Sequence, residues 1–84
     1  MQFYFITFRS VTFAQRAEKL LNQQGHRGSL MRTPRWMEEQ GCGYCLRLWT
    51  ENPASAVELL RRNAIPMRKV YAQRADGQLE EIRS

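Results

Sequence analysis

The sequence is poor in the residues that build disulfide frameworks and metal sites. It contains two cysteines, Cys42 and Cys45, and one histidine, His26. Two cysteines are too few for a disulfide scaffold. A structural zinc site needs four ligands, and the spacing of these residues does not indicate one. We therefore expect neither a disulfide scaffold nor a metal site.

Long apolar runs are also missing. No stretch approaches the roughly 20 apolar residues of a membrane-spanning helix. The N-terminal residues, MQFYFITFRS, lack the basic start and the long apolar segment of a secretory signal. We therefore expect a cytoplasmic protein that does not enter a membrane. Thiols in the cytoplasm stay reduced unless their chemistry is transient, so the two cysteines serve either chemistry or packing.

None of the short patterns that mark common enzymes is present. The chain has no serine–histidine–acid set, no phosphate-binding glycine loop and no cofactor fingerprint, so we expect no cofactor. The net charge is +5, but the charges are spread along the chain without a block of one sign. A basic surface attracts nucleic acid, acidic proteins or small anions. These features favour a binding protein over an enzyme.

The patterns that are present predict one domain over residues 1–84. Aromatic and β-branched residues predict strands, apolar residues at one-face spacing predict helices, and Asp76-Gly77 predicts a hairpin before a last short strand. Ser10 and Asn52 are suited to N-cap the helices. The predicted strands are 2–8, 27–33, 44–49, 67–73 and 78–82, and the predicted helices are 11–24 and 53–63.

The order β-α-β-β-α-β indicates a ferredoxin-like α+β fold. We expect an antiparallel sheet with both helices on one face, and an extra C-terminal hairpin strand. In the third strand, Tyr44, Leu46 and Leu48 are assigned to the core, because alternate residues share a face. Right-handed crossovers bring the end of strand 1, the start of helix 1 and the start of strand 3 together. Cys42 should therefore lie near Ser10.

This placement predicts a reactive thiol at Cys42. A helix N-terminus and nearby cations lower the pKa of a thiol and favour the thiolate. Cys42 would then attack or accept an electrophilic sulfur, although packing of both thiols and a reversible disulfide with Cys45 remain open. A thioredoxin-type site is not indicated, because the C-x-x-C opens a strand. The residues expected around the thiol are Arg9, Ser10, Arg32, Arg35, Gly41 and Gly43.

Four short motifs occur in a characteristic order along the chain. They are Phe8 to Ser10 at the end of strand 1, Ala17 to Leu21 in helix 1, Thr33-Pro34-Arg35, and Cys42-Gly43. In this order the sequence resembles the selenium/sulfur carrier-like family of small bacterial and archaeal proteins. The resemblance covers roughly residues 3–72.

The resemblance implies that Cys42 carries sulfur or selenium as a persulfide or selenopersulfide. It implies that Gly43 opens access to the thiol, that Arg35 belongs to an anion-favouring turn, and that the partners are a sulfur or selenium donor protein and an acceptor protein. Cys45 would either release the cargo by forming a disulfide or pack in the core. The protein would then be a carrier rather than a turnover enzyme.

Two alternatives from other functional classes remain open. The same element order and a basic pI of about 9.9 are compatible with an RNA-recognition-type domain, but its strand-3 signature would place Cys42 and Arg47 where aromatic residues belong. The second alternative is an interaction module or homodimer that uses the open sheet face. Trp49, Tyr71 and Phe8 are the residues predicted for that face.

Overall fold

The computed structural model describes residues 1–34 and 43–82. All predicted elements are present, and each end lies within one residue of its predicted position except the start of the fourth strand. The elements in chain order are β1 (Gln2–Thr7), α1 (Val11–Gln23), β2 (Arg27–Arg32), β3 (Tyr44–Thr50), α2 (Pro53–Arg62), β4 (Val70–Gln73) and β5 (Leu79–Ile82).

The strands form one five-stranded sheet in the order β2-β3-β1-β4-β5. Every neighbouring pair is antiparallel, including the predicted C-terminal hairpin of β4 and β5. Both helices contribute to a single cluster of buried residues with β1 and β3, so they pack on the same face of the sheet. The predicted α+β class with two helices on one face is confirmed.

The helix-side core follows the alternation of the strands. Ile6, Leu46 and Leu48 have no exposed area and pack against both helices. Burial of one such side chain contributes about 1.5–3 kcal/mol to stability. Tyr44 was assigned to this core as well, but it is only half-buried, because it lies at the start of β3. Its ring is contacted by the guanidinium of Arg32, 5.4 Å from the ring centroid.

Polar side chains begin both helices at the predicted positions. Ser10 Oγ accepts a hydrogen bond from the amide of Phe13 at 3.2 Å, and Asn52 Oδ1 accepts one from the amide of Ser55 at 3.3 Å. Each bond satisfies one of the first-turn amides that have no partner within the helix. Ser10 and Asn52 are therefore confirmed as N-caps.

The end of α2 differs from the predicted apolar stripe. The spacing of Ala56, Val57, Leu60 and Ala64 predicts that Ala64 shares their buried side, but Ala64 is exposed and has a φ of 57°. The amide of Ile65 bonds the carbonyl of Leu60 at 3.0 Å, and that of Ala64 bonds Arg61 at 3.1 Å. This is the Schellman pattern, in which the chain reverses after the helix and buries the following residue. Ile65 therefore replaces Ala64 in the core.

Replacing Ala64 with glycine should stabilise the protein. A left-handed residue with a Cβ is strained by roughly 1–2 kcal/mol, whereas the entropic cost of a glycine is about 0.5–1 kcal/mol. We expect Ala64→Gly to raise the free energy of unfolding by about 0.5 kcal/mol, measured by urea denaturation. Ala54→Gly, on the exposed surface of α2, should lower it. A decrease in both variants would contradict the strained turn.

The fourth strand begins three residues later than predicted because its pairing with β1 is irregular. The amide of Arg68 bonds the carbonyl of Thr7 at 2.8 Å, and the amide of Thr7 bonds the carbonyl of Lys69 at 2.9 Å. The amide of Lys69 bonds Thr7 Oγ1 at 3.0 Å. Two residues thus oppose one, as in a β-bulge, and the regular ladder starts only at Val70.

Side chains of α1 form hydrogen bonds with the backbone of β2, which is an edge strand of the sheet. Asn22 exchanges two hydrogen bonds with the backbone of Gly28, at 2.9 and 3.3 Å. Glu18 Oε2 accepts a hydrogen bond from the amide of Leu30 at 2.9 Å. These backbone groups would otherwise be available to pair with another strand. In the part of the chain that the structure describes, no helix has the length and apolarity needed to cross a membrane.

Candidate functional site

The described residues on either side of the segment that contains Cys42 lie at one end of the sheet. Cys45, near the start of β3, is paired with Thr7 at the end of β1 and with Met31 near the end of β2. Beyond β2, the amide of Thr33 donates to the carbonyl of Gly43 at 3.0 Å. The chain therefore leaves β2 and enters β3 at the end of the sheet where β1 leads into α1. This part of the predicted topology is confirmed.

Several residues predicted for the site fall between these two positions. Cys42, Arg35 and Gly41 lie outside the described residues, and their roles stay predictions. The described residues of the predicted site are Arg9, Ser10, Arg32, Gly43 and Cys45. The described surroundings therefore define where the segment starts and ends, and which groups stand at that end of the sheet.

Gly43 adopts a conformation that favours glycine. Its φ is 83°, in the left-handed region, and the residue is buried. A side chain in this conformation is strained, because its Cβ approaches the neighbouring carbonyl. Gly43 therefore allows the backbone to turn directly into β3 at the position that follows Cys42.

The start of α1 offers hydrogen-bond donors at the same end. The amides of Val11 and Thr12 have no acceptor among the residues that the structure describes, and both residues are exposed. Ser10 uses its oxygen to cap the helix, but its hydroxyl hydrogen can still be donated. Such a helix start favours a negative charge through its free amides and its dipole.

Cationic residues lie near the start of α1. Arg9 is exposed between β1 and α1, and Arg32 is exposed at the last position of β2. Arg68 and Lys69 also reach this end, because the bulge pairs both of them with Thr7. These two residues were not predicted for the site from the sequence. The expected pairing of β4 with β1 could have indicated them. Lys69 Nζ lies 3.9 Å from a carboxylate oxygen of Glu81.

Cys45 lies on the opposite face of the sheet from the helices. It has no exposed area and belongs to a second buried cluster with Phe5 and Tyr71. The alternation of β3 explains this position, because Cys45 and Leu46 point to opposite faces. A donor cannot reach the Cys45 sulfur in this arrangement. Its burial favours packing over participation in transfer.

The same face carries a group of partly buried aromatic residues and an exposed arginine at the other end of the strands. The rings of Phe3 and Trp49 lie 4.5 Å apart between centroids, at an interplanar angle of 57°. The guanidinium of Arg47 lies 4.7 Å from the centroid of Phe3. Trp49 was predicted for the open face from the sequence, but Phe3 and Arg47 beside it were not.

Phe8 was predicted to share the open face with Trp49 and Tyr71, and this was wrong. Phe8 has no exposed area and belongs to the cluster that the helices cover. Phe8 continues the alternation of β1, so it lies on the same side as Tyr4 and Ile6, beneath the helices. Trp49 and Tyr71 do lie on the open face, but Tyr71 is buried.

The described residues do not form a metal site. In residues 1–34 and 43–82, no three His, Cys, Asp or Glu side chains are grouped so that they could hold a metal ion. The amides at the start of α1 and the cationic residues near them can stabilise an anion at this end of the sheet.

Comparison with known proteins identifies a family for this chain. No curated protein and no solved structure matches the sequence. The model of the family described as "Putative Se/S carrier protein-like" matches residues 3–72. This range includes all four motifs of the predicted resemblance and all or most of every element except β5. The chain therefore belongs to the Se/S carrier protein-like family.

Proposed function

We propose that the protein carries sulfur or selenium on Cys42 and passes it to an acceptor. The observation that carries this proposal is the family match over residues 3–72, which includes Cys42. The proposal includes a donor protein, an acceptor protein and a cytoplasmic location. It also assigns the fold to the ferredoxin-like type, which the strand order β2-β3-β1-β4 supports.

For sulfur, the proposed step is a transfer between two thiols. The Cys42 thiolate attacks the outer sulfur of a persulfide on the donor. The donor's sulfur–sulfur bond breaks, a new bond forms between the Cys42 sulfur and the transferred sulfur, and the donor leaves as a thiolate. The same exchange with the acceptor's thiolate discharges the carrier. No net oxidant is consumed, because each step makes and breaks one sulfur–sulfur bond.

For selenium, two routes reach the same loaded state. Cys42 can attack the selenium of a donor selenopersulfide, with the donor thiolate as leaving group. Alternatively, the Cys42 thiolate first exchanges with a low-molecular-weight disulfide and releases one thiolate. Hydrogen selenide then attacks the Cys42 sulfur of this mixed disulfide, and the second thiolate leaves. Both routes give a bond between the Cys42 sulfur and selenium with balanced atoms and electrons.

The end of the sheet supports the reactive form of this cysteine. A thiolate is the nucleophile, and a helix start and cations favour it. Val11 and Thr12, whose amides have no acceptor among the described residues, lie with Ser10 and the exposed Arg9 where β1 leads into α1. Gly43 leaves the position after the thiol without a side chain. Arg35, in the Thr-Pro-Arg turn, is proposed as a further cation.

Cys45 has a separate role in this proposal. Its complete burial between Phe5 and Tyr71 supports a packing role. A resolving role would require β3, or the Phe5 and Tyr71 side chains packed with Cys45, to move. Only then could the Cys45 sulfur displace the transferred sulfur or selenium. The carrier reaction itself does not need Cys45.

The test is intact-mass spectrometry of the reduced protein after incubation with a cysteine desulfurase and cysteine, and separately after incubation with a selenium donor. We expect the mass to increase by one sulfur or one selenium atom, and the increase to disappear when dithiothreitol is added. An unchanged mass with both donors would overturn the proposal.

Gly43→Ala should slow loading as well as destabilise the protein. The φ of 83° at Gly43 makes alanine cost roughly 1–2 kcal/mol, and relief of that strain would displace the chain next to Cys42. Gly77 has a similar φ of 88° in the distant β4–β5 hairpin, with open space around it. We expect Gly77→Ala to lose similar stability but to load at the normal rate. Equal loading rates would contradict the role of Gly43.

A further inference from the structure

One end of the open sheet face carries a flat aromatic and cationic surface. Trp49 on β3 stands between Arg27 on β2 and Phe3 on β1, because it is paired with both in the sheet. Arg47 lies two residues earlier on the same strand, and its guanidinium rests on the Phe3 ring. We call Phe3, Arg27, Arg47 and Trp49 the aromatic–arginine platform.

The two arginines of the platform have no acidic partner in residues 1–34 and 43–82. Both are exposed, so their charges face solvent. The ion pairs that the structure shows lie elsewhere, on α2, between β4 and β5, and in the β4–β5 hairpin. An anionic partner would therefore meet two positive charges beside the aromatic rings, and no described carboxylate is paired with either.

The platform also borders a shallow pocket. The pocket has a volume of about 200 Å³, and the exposed Ser29 adds a hydroxyl to its lining beside the platform residues. Trp49 and Phe3 are only partly buried, so part of each ring remains available for contact. The pocket thus combines aromatic surface, guanidinium groups and one hydroxyl in a small area.

These features match the chemistry of single-stranded nucleic acid. Aromatic rings and guanidinium planes stack on unpaired bases, and positive charges attract the phosphates. A duplex hides the faces of its bases, so it would not use the rings. An acidic peptide would use the charges but would gain little from the aromatic surface. The Ser29 hydroxyl can bond a 2′-hydroxyl, which distinguishes RNA from DNA.

We propose that the aromatic–arginine platform binds single-stranded RNA. A base stacks on Trp49, a neighbouring base stacks on the guanidinium that covers Phe3, and Arg27 contacts the backbone phosphate. The strand-3 signature of RNA-recognition domains was not met when it was placed on residues 40–47. The platform instead uses Arg47 and Trp49, further along the same strand. This binding is separate from thiol loading and does not require Cys42.

The binding test is fluorescence anisotropy of a labelled oligouridine about ten nucleotides long with the full reduced chain. Base–aromatic stacking contributes about 1–3 kcal/mol per base, so we expect Trp49→Ala to weaken binding on the order of tenfold. Trp49→Phe keeps an aromatic face and should retain most of the affinity. Loss of binding in both variants while circular dichroism shows a folded protein would overturn the stacking role.

The charge test compares arginines on opposite faces. Arg47→Gln and Arg27→Gln should each weaken binding, whereas Arg16→Gln, which removes the same charge from an exposed position on α1, should not. For single strands the logarithm of affinity falls with that of salt by about 0.7 per phosphate contact. Arg27→Gln should therefore reduce the salt slope by about that amount. Equal losses in all three variants would indicate general electrostatic attraction and overturn the proposal.

Two further ligands, polyglutamate and single-stranded DNA, test whether the platform prefers RNA to other anions. Polyglutamate of matched charge should displace the oligouridine poorly, because it offers no flat rings. Single-stranded oligodeoxythymidine should bind more weakly than oligouridine if Ser29 contacts the 2′-hydroxyl. Efficient displacement by polyglutamate would replace RNA with an acidic partner, and equal affinity for DNA would overturn the assignment to RNA. Cys42→Ser should leave RNA binding unchanged, so this test is independent of the carrier proposal.

Discussion

Cys42→Ser will abolish the loading of sulfur and selenium while leaving the fold intact. A serine hydroxyl does not form a persulfide, so no mass increase should follow incubation with a desulfurase and cysteine or with a selenium donor. The loss should be complete rather than partial, because the transferred atom is bonded to this one side chain. Circular dichroism and the urea midpoint should stay close to those of the unmodified protein.

The matched control removes the other thiol. Cys45 is buried on the open face with Phe5 and Tyr71, and a serine there would bury a polar hydroxyl at a cost of about 1–3 kcal/mol. Cys45→Ala is therefore the better substitution. We expect it to load normally. Slower discharge to an acceptor in this variant would show that Cys45 resolves the loaded state. Loading that persists in Cys42→Ser but disappears in Cys45→Ala would place the carrier at Cys45 and overturn the proposal.

Phe8→Ala should cause the largest loss of stability among substitutions away from the thiol. The ring has no exposed area and packs in the cluster shared by the sheet and both helices. Truncating a buried phenylalanine costs about 3–5 kcal/mol, from lost burial and from the cavity that remains. Domains of this size unfold with about 5–15 kcal/mol in total, so the variant should be close to its unfolding threshold.

Urea denaturation measures this effect, with two substitutions for comparison. Phe8→Leu keeps most of the buried volume and should cost markedly less. Phe3→Ala removes a phenylalanine from the open face, where the ring is only partly buried, and should also cost less than Phe8→Ala. If Phe8→Ala and Phe3→Ala were equally mild, Phe8 would belong to an exposed partner face, as the sequence alone had suggested.

Much of the fold could be predicted because its signals are local. Alternating residues in β3 predicted that Leu46 and Leu48 are buried, and Ser10 and Asn52 predicted the helix starts. Each of these signals depends on a few neighbouring residues and on the fixed periods of strands and helices. The same holds for the β4–β5 hairpin, which two turn residues specify.

The two errors have different causes. Ala64 continues the apolar spacing of α2, but the helix ends before it and the Schellman turn buries Ile65 instead. A helical period predicts which residues share a face only as long as the helix continues. Phe8 was assigned to the open face although the alternation of β1 places it with Tyr4 and Ile6 on the helix side.

The candidate site divides in the same way. The four short motifs identified the family, because each is a stretch of consecutive residues, and one of them contains Cys42, the proposed carrier. Arg68 and Lys69 were missed because their place at this end depends on the pairing of β4 with β1, and the bulge opposite Thr7 brings both of them to it. Trp49 was predicted for the open face, but the residues beside it in the platform follow from the register of the sheet.

The sequence by itself determined the order of strands and helices, the caps, the alternating core and the family. Only the tertiary structure decided which distant residues meet: Trp49 beside Phe3 and Arg27, and the edge of β2 closed by side chains of α1. Element formation depends on interactions within a few residues. Contacts between residues of different elements depend on the register of the sheet. All the strands together set that register, which places residues far apart in sequence a few ångströms from one another.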